Sequence, residues 1–217
     1  MPQKAVIFDL DGVIFNTEDC WKKGFEIVTK QYNLPLDENY RVTICGKSEL
    51  KIIEELNVMF PDLDAVTYRK EIADKYVEQI NNGEYRLKEG FFELINVLKE
   101  KNYKIALATS NLRWRMEKIF SNKGIDPYKI FDTIITVSEI GNRTKPDPYI
   151  FLKAAEELGV KPEDTIVIED SLNGIEAAVR GNFIPIMAKD LVPPNEYAKK
   201  HCYRIVDSLL DIIPLLK

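Results

Sequence analysis

The sequence predicts an α/β fold in which a parallel sheet carries helices on its faces and a helical module is inserted after the first strand. Three observations carry that reading. Short apolar runs recur along the chain, each next to a helical pattern; the first run stops abruptly at acidic residues and a glycine; and one long early stretch has helical periodicity with no strand in it.

Taken in order, KAVIFDLDG reads as a buried strand ending near Asp9. From Thr17 to Gly83 the segments CWKKGFEIVTKQY, SELKIIEELNVMF and AVTYRKEIADKYVEQI follow one another as helices. Phe15 to Thr17 is then the outward crossing and Asn81–Asn82–Gly83 the return, which together make a hinge. Further strands are expected at Lys104 to Ala108, Thr133 to Val137, Thr165 to Ile168 and Phe183 to Met187. Helices are expected at Phe91 to Lys101, Leu112 to Lys123, Pro148 to Leu158 and Leu172 to Arg180, with Gly124, Gly159 and Gly181 as left-handed terminators of the last three. The expected domains are residues 1–16 with 84–217, and residues 17–83.

Composition narrows the function. The chain is 45% hydrophobic and 30% charged, with a formal net charge of -5 and no basic stripe, so nucleic acid is not an expected partner. No apolar run approaches the roughly 18–20 residues that span a bilayer, and no signal-like stretch opens the sequence, so a cytoplasmic protein without a membrane partner is expected. Three scattered cysteines, Cys20, Cys45 and Cys202, fit neither a disulfide framework nor a zinc site. A single histidine, His201, in a polar stretch excludes a Ser/His/Asp hydrolase. A monomer is expected.

Asp9 and Asp11 lie two apart at the carboxyl end of the first strand, where open α/β sheets place their ligands. One carboxylate can attack phosphorus while binding a cation, and the other can pass a proton to the leaving oxygen. Gly12 permits the sharp turn that aims both. A second acidic pair, Glu169 and Asp170, closes another strand, although Asp170 or Ser171 also suits a helix cap. Two such clusters on neighbouring strands repel unless a cation sits between them, and all-oxygen ligands favour magnesium. The metal set is therefore Asp9, Glu169 and Asp170, with the backbone carbonyl of Asp11. Thr109, Ser110 and Asn111 end a strand before a helix, which suits either a phosphate cradle or a cap. Lys145, stiffened by Pro146 and Pro148, is placed to stabilise charge on the nucleophile and phosphate.

The segments DLDGV, ATSN, KPDPYIF and EDSLNGIEAA, in this order, resemble the four motifs of the haloacid dehalogenase superfamily, and the likeness spans the chain. It is closest to the subgroup of beta-phosphoglucomutases, phosphoglycolate phosphatases and sugar-phosphate phosphatases, which implies a Rossmann-like core with an α-helical cap inserted at residues 17–83. The resemblance makes Asp9 the nucleophile, Asp11 the acid/base, Thr109 the phosphate-binding hydroxyl and Lys145 the charge-stabilising lysine. Glu169 and Asp170 become the magnesium site, and Ser110 and Asn111 extend the cradle by backbone amide and side chain. What this implies is a magnesium-dependent phosphatase acting on a small phosphorylated metabolite, a sugar or polyol phosphate, through an aspartyl-phosphate.

A phosphosugar mutase shares this chemistry and is the alternative. Beta-phosphoglucomutases carry a histidine in the first cap helix, near Trp21 here, and an arginine where this chain has Glu49, so both departures weigh against it. A phosphoreceiver-like signalling module also combines acids, a hydroxyl and a lysine, but its phosphoaccepting aspartate lies on a central strand that here ends in Thr109 and Ser110. In the helical module Lys47, within GKS, suits a substrate contact or an exposed helix start; Arg41 stands where a nucleotide-loop glycine is needed, which excludes that motif. Trp21 fits a pocket wall or internal packing, while Arg113 and Arg115 fit a solvated helix face.

Overall fold

The computed structural model describes residues 4–44, 49–141 and 143–216. In chain order the first strand, β1 (Ala5–Phe8), is followed by four helices, α1 (Glu18–Gln31), α2 (Glu38–Ile44), α3 (Glu49–Met59) and α4 (Ala65–Asn81). Next come α5 (Phe91–Glu100), β2 (Lys104–Thr109), α6 (Arg113–Ser121), β3 (Thr133–Thr136), α7 (Val137–Ile140) and α8 (Tyr149–Leu158). The chain ends with β4 (Thr165–Glu169), α9 (Leu172–Arg180), β5 (Ile184–Ala188), α10 (Glu196–His201) and β6 (Arg204–Val206), before a short 3-10 turn. Two compact units result: residues 1–16 with 86–217, and residues 17–85.

The six strands form one parallel sheet in the order β3-β2-β1-β4-β5-β6. Its central strand is β1, whose four residues are fully buried because helices cover both faces. Ala5 and Ile7 face the side packed by Ile150, Phe151 and Ala154 of α8. Phe8 points the other way, edge-on to Phe91 and Phe131 at centroid distances of 6.1 and 6.3 Å. Full burial of a large side chain such as Ile7 or Phe8 stabilises the fold by roughly 1.5–3 kcal/mol. All four apolar strands after the first appear where the sequence places them; the sixth, Arg204–Val206, is not among the expected strands, being three residues long with an exposed arginine.

Gly124 and Gly159 end their helices at φ 67° and 66°, as expected. Gly181 does not: its φ is -81°, and Asn182 takes the left-handed conformation one residue later at φ 62°. A side chain at 181 would meet the Phe183 ring at 2.6 Å, so packing rather than backbone conformation calls for glycine there.

The helical unit has its own core. Phe25 and Val28 of α1, Ile52 and Leu56 of α3 and Tyr68 and Ile72 of α4 pack together, and the Thr29 and Tyr68 hydroxyls share a buried hydrogen bond of 2.6 Å. Trp21 stacks on Tyr76, with centroids 4.2 Å apart and planes 12° from parallel. Within the sheet unit, the chain leaves and returns side by side. Asn16 N–H donates to the Arg86 carbonyl at 3.0 Å, and Lys88 N–H donates to the Ile14 carbonyl at 2.8 Å.

Candidate active site

Parallel strands end on a common edge, and the chemistry-bearing residues collect there. Extending the β1–β4 register by one residue places Asp9 beside Glu169, and the Asp9 N–H donates to the Ile168 carbonyl at 3.0 Å. Lys145, which precedes a cis proline, reaches both carboxylates: its Nζ lies 2.5 Å from Asp9 Oδ1 and 2.6 Å from Glu169 Oε1. All three side chains are at most 8% exposed. Lys145 is thus no solvated surface lysine. The Ser171 N–H donates to the other Glu169 oxygen at 2.6 Å.

Two glycines make room for this packing. Gly12 has φ +71°, and a side chain there would lie 2.3 Å from Asp170 Oδ2. A side chain at Gly174 would lie 2.0 Å from Glu169 Cδ, so the first turn of α9 passes directly against the buried glutamate. Ser171, not Asp170, caps that helix by accepting from the Gly174 N–H at 3.0 Å.

Asp9, Glu169 and Asp170 each offer a carboxylate oxygen within 4.8 Å of the others. Three carboxylates against the single Lys145 ammonium leave a formal excess of two negative charges, which one divalent cation balances. Oxygen-only donors and this charge fit a hard cation. Burial is the main cause pushing the Asp9 carboxyl up to about 7; Lys145 opposes the rise, while Glu169 and Asp11 add to it. Burial pulls the Lys145 ammonium down, but Asp9 and Glu169 outweigh it and hold the group above its usual value.

On the other side of β1, Thr109 ends β2 fully buried. The Asn111 side-chain amide donates to Asp11 Oδ2 at 2.5 Å and to Thr109 Oγ1 at 3.3 Å, and its backbone N–H donates to the same Oγ1 at 3.1 Å. Ser110 is exposed between them. Neither Ser110 nor Asn111 caps the next helix, whose N-cap is Leu112 with no side-chain cap bond. Asp11, unlike Asp9, does not join the three-carboxylate cluster through its side chain.

Lys47 lies outside the described residues. Glu49, at the start of α3, is held by Arg69 in a two-pronged ion pair of 2.8 and 2.9 Å. Arg113, expected on a solvated helix face, is 34% exposed and tied to later segments. It donates to Glu139 Oε1 at 2.9 Å, to the Tyr128 hydroxyl at 3.2 Å and to the Ile134 carbonyl at 3.0 Å, fastening the start of α6 behind Asn111. Its acidic partner, Glu139, lies 26 positions away in the sequence, so no local pattern points to the pair. Among the described residues no helix is long and apolar enough to cross a membrane.

Residues 6–187 match the family model described as haloacid dehalogenase-like hydrolase. The chain is 32% identical over 176 residues to a phosphorylated carbohydrates phosphatase of Thermotoga maritima, covering 81% of this chain and 80% of that protein. It is 28% identical over 230 residues to the pyrophosphatase PpaX of Halalkalibacterium halodurans, covering 98% of each. Among solved structures it is similar to a beta-phosphoglucomutase of Clostridium difficile, with a TM-score of 0.73, 26% identity, and 97% of this chain and 93% of that one covered. With its match running from the first strand to the fifth, the chain belongs to the haloacid dehalogenase-like hydrolase family.

Proposed function

We propose that this hydrolase is a magnesium-dependent phosphatase that takes a sugar or polyol phosphate through a phosphoryl-Asp9 intermediate. The observation that carries the reading is the buried Asp9–Lys145–Glu169 set, with a further carboxylate, Asp11, hydrogen-bonded to Asn111 just beyond the end of β2. Asp9 is the nucleophile and forms a bond to phosphorus as the bond to the leaving oxygen breaks. Asp11 gives its proton to that oxygen, releasing an alcohol. Asp11 then takes a proton from water, whose oxygen attacks the phosphoryl group and frees Asp9 and inorganic phosphate.

Lys145 keeps positive charge beside the nucleophile throughout, and the Thr109 hydroxyl donates to a phosphate oxygen, with Ser110 contributing its backbone amide. Magnesium, held by Asp9, Glu169 and Asp170, supplies charge neutralisation to the transferring group when bound. The helical unit is read as the specificity-setting cap, with Lys47 as a candidate substrate contact, in a cytoplasmic monomer. The phosphorylated carbohydrates phosphatase relative supports the substrate class.

The mutase is the second reading, favoured by the likeness to a beta-phosphoglucomutase. Against it, Trp21 is engaged with Tyr76, and Glu49 with Arg69, where those mutases carry a histidine and an arginine. Phosphate release is to be measured on sugar phosphates, polyol phosphates, small phosphorylated acids and pyrophosphate, with magnesium and with EDTA, beside Asp9→Ala. Magnesium-dependent release that the substitution abolishes is expected. Conversion of a sugar 1-phosphate to its 6-phosphate without release establishes the mutase instead, and preference for pyrophosphate replaces the sugar or polyol substrate.

A further inference from the structure

We propose that Asn111 is a positioning residue that sets the Asp11 carboxylate for proton transfer, rather than a contact to phosphate; the inference rests on the phosphatase reading above. Its side-chain Nδ2 has two N–H groups. One donates to Asp11 Oδ2 at 2.5 Å, across 100 positions of sequence, and the other approaches Thr109 Oγ1 at 3.3 Å. Neither is left over for a substrate oxygen.

The residue itself is held from every side. Its backbone N–H donates to Thr109 Oγ1 at 3.1 Å, and its carbonyl accepts from the Val137 N–H at 3.2 Å. The residue is 6% exposed, Thr109 is fully buried, and the following turn is fastened by Arg113 to Glu139 and to the Ile134 carbonyl. A hydroxyl has two acceptor lone pairs and one donor proton. With Asn111 N–H groups on the lone pairs, the Thr109 O–H is the part that remains to donate to phosphate. The arrangement divides the labour: Thr109 faces phosphate, and Asn111 faces the acid that serves the leaving group.

A proton donor acts only within hydrogen-bond reach of its target, and a displacement of about 1 Å can cost roughly a hundredfold. Asp11 sits on a turn whose neighbours Leu10, Val13, Ile14 and Phe15 are fully buried, so its backbone is fixed and the Asn111 amide bears on its side-chain torsions. Loss of the amide loosens those torsions while leaving the Lys145 ties to Asp9 and Glu169 in place.

The test is the ratio of two activities measured on one preparation, which is independent of the folded fraction. On the alkyl phosphate that the wild type hydrolyses best, Asn111→Ala is expected to lower kcat/KM, which reports the step that forms phosphoryl-Asp9, by about 10- to 100-fold, because the alkoxide leaving group needs a proton. On p-nitrophenyl phosphate, whose leaving phenolate needs none, the loss is expected to stay within about threefold. Asp11→Asn should show the same split, larger, and Asn111→Ser, which restores a shorter donor, should recover part of the alkyl activity. Inhibition by inorganic phosphate should move little in Asn111→Ala. Equal losses on both substrates, with weakened phosphate inhibition, would make Asn111 a phosphate contact and overturn the proposal; an unchanged ratio would overturn it as well. If the wild type hydrolyses neither substrate while Asp11→Asn and the wild type are equally folded, the phosphatase reading itself fails and takes this inference with it.

Discussion

Each unit of the molecule buries one cation between two carboxylates, and the two arrangements have opposite consequences. In the sheet unit, Lys145 and its partners Asp9 and Glu169 are all at most 8% exposed. In the helical unit, Arg41 is equally buried, but Glu18 and Glu38 remain 31% and 40% exposed. Water still solvates those glutamates, and the Arg41 hydrogen bond holds Glu38 below its usual value. No such relief reaches Asp9, and burial pushes it up to about 7 despite the adjacent ammonium. A cation with hydrated partners is a structural tie; one with dehydrated partners and a third carboxylate alongside is a site that calls for a second cation.

The largest effect that sharpens this contrast is at Asp9. Asp9→Asn should reduce turnover by at least about a thousandfold, since the covalent route is removed. Its effect on stability has a definite sign. The folded value near 7 lies above the ordinary 3.8, so Asp9 contributes stability present below about pH 3.8 and lost as pH rises through about 7. In the metal-free protein, thermal unfolding should therefore show the Asn variant gaining on the wild type from pH 4 to 7.5. A gap that narrows over that range would contradict the account.

Lys145→Ala comes next. It leaves dehydrated carboxylates uncompensated, and urea unfolding without metal should show a loss of about 3–5 kcal/mol. Magnesium should restore more stability to this variant than it adds to the wild type, because it replaces part of the missing charge. Equal stabilisation of both would mean that cation and ammonium do not share the same field.

Much of this site is legible in the sequence because a parallel sheet converts separate strand ends into one edge. Asp9, Thr109 and Glu169 each close an apolar run, and register brings Glu169 level with Asp9 and Thr109 within one residue of it. What the sequence hides depends on fit between distant segments. Nothing in EDSLNG says that Gly174 is small because Glu169 lies against it. Nothing in TSN says that the asparagine amide turns to Asp11, 100 positions earlier. Arg113 reads as solvated because its partners Glu139, Tyr128 and the Ile134 carbonyl arrive from later elements. The sixth strand is hidden for a different reason: three residues at a sheet edge leave no periodic signal.

Gly174→Ala tests the fit at intermediate magnitude. The added methyl displaces Glu169 or the start of α9, at a cost of about 1–3 kcal/mol, and activity should fall at least about tenfold as Glu169 leaves Lys145. Urea unfolding and kcat/KM measured together decide it; full activity would show that Glu169 can move freely. The smallest effect is expected at the other cation. Arg41→Met keeps the packed stem and leaves two hydrated glutamates, so its cost in thermal unfolding should be about 1 kcal/mol, with no added benefit from magnesium. A loss as large as that of Lys145→Ala would erase the distinction between the two regions.

The most direct test is mass analysis of protein quenched in acid during turnover of its best phosphorylated substrate with magnesium. A phosphoryl group on the peptide bearing Asp9, absent from Asp9→Asn, is the predicted result. Full turnover with the phosphoryl group on another residue, or undiminished turnover by Asp9→Asn, would contradict the central claim.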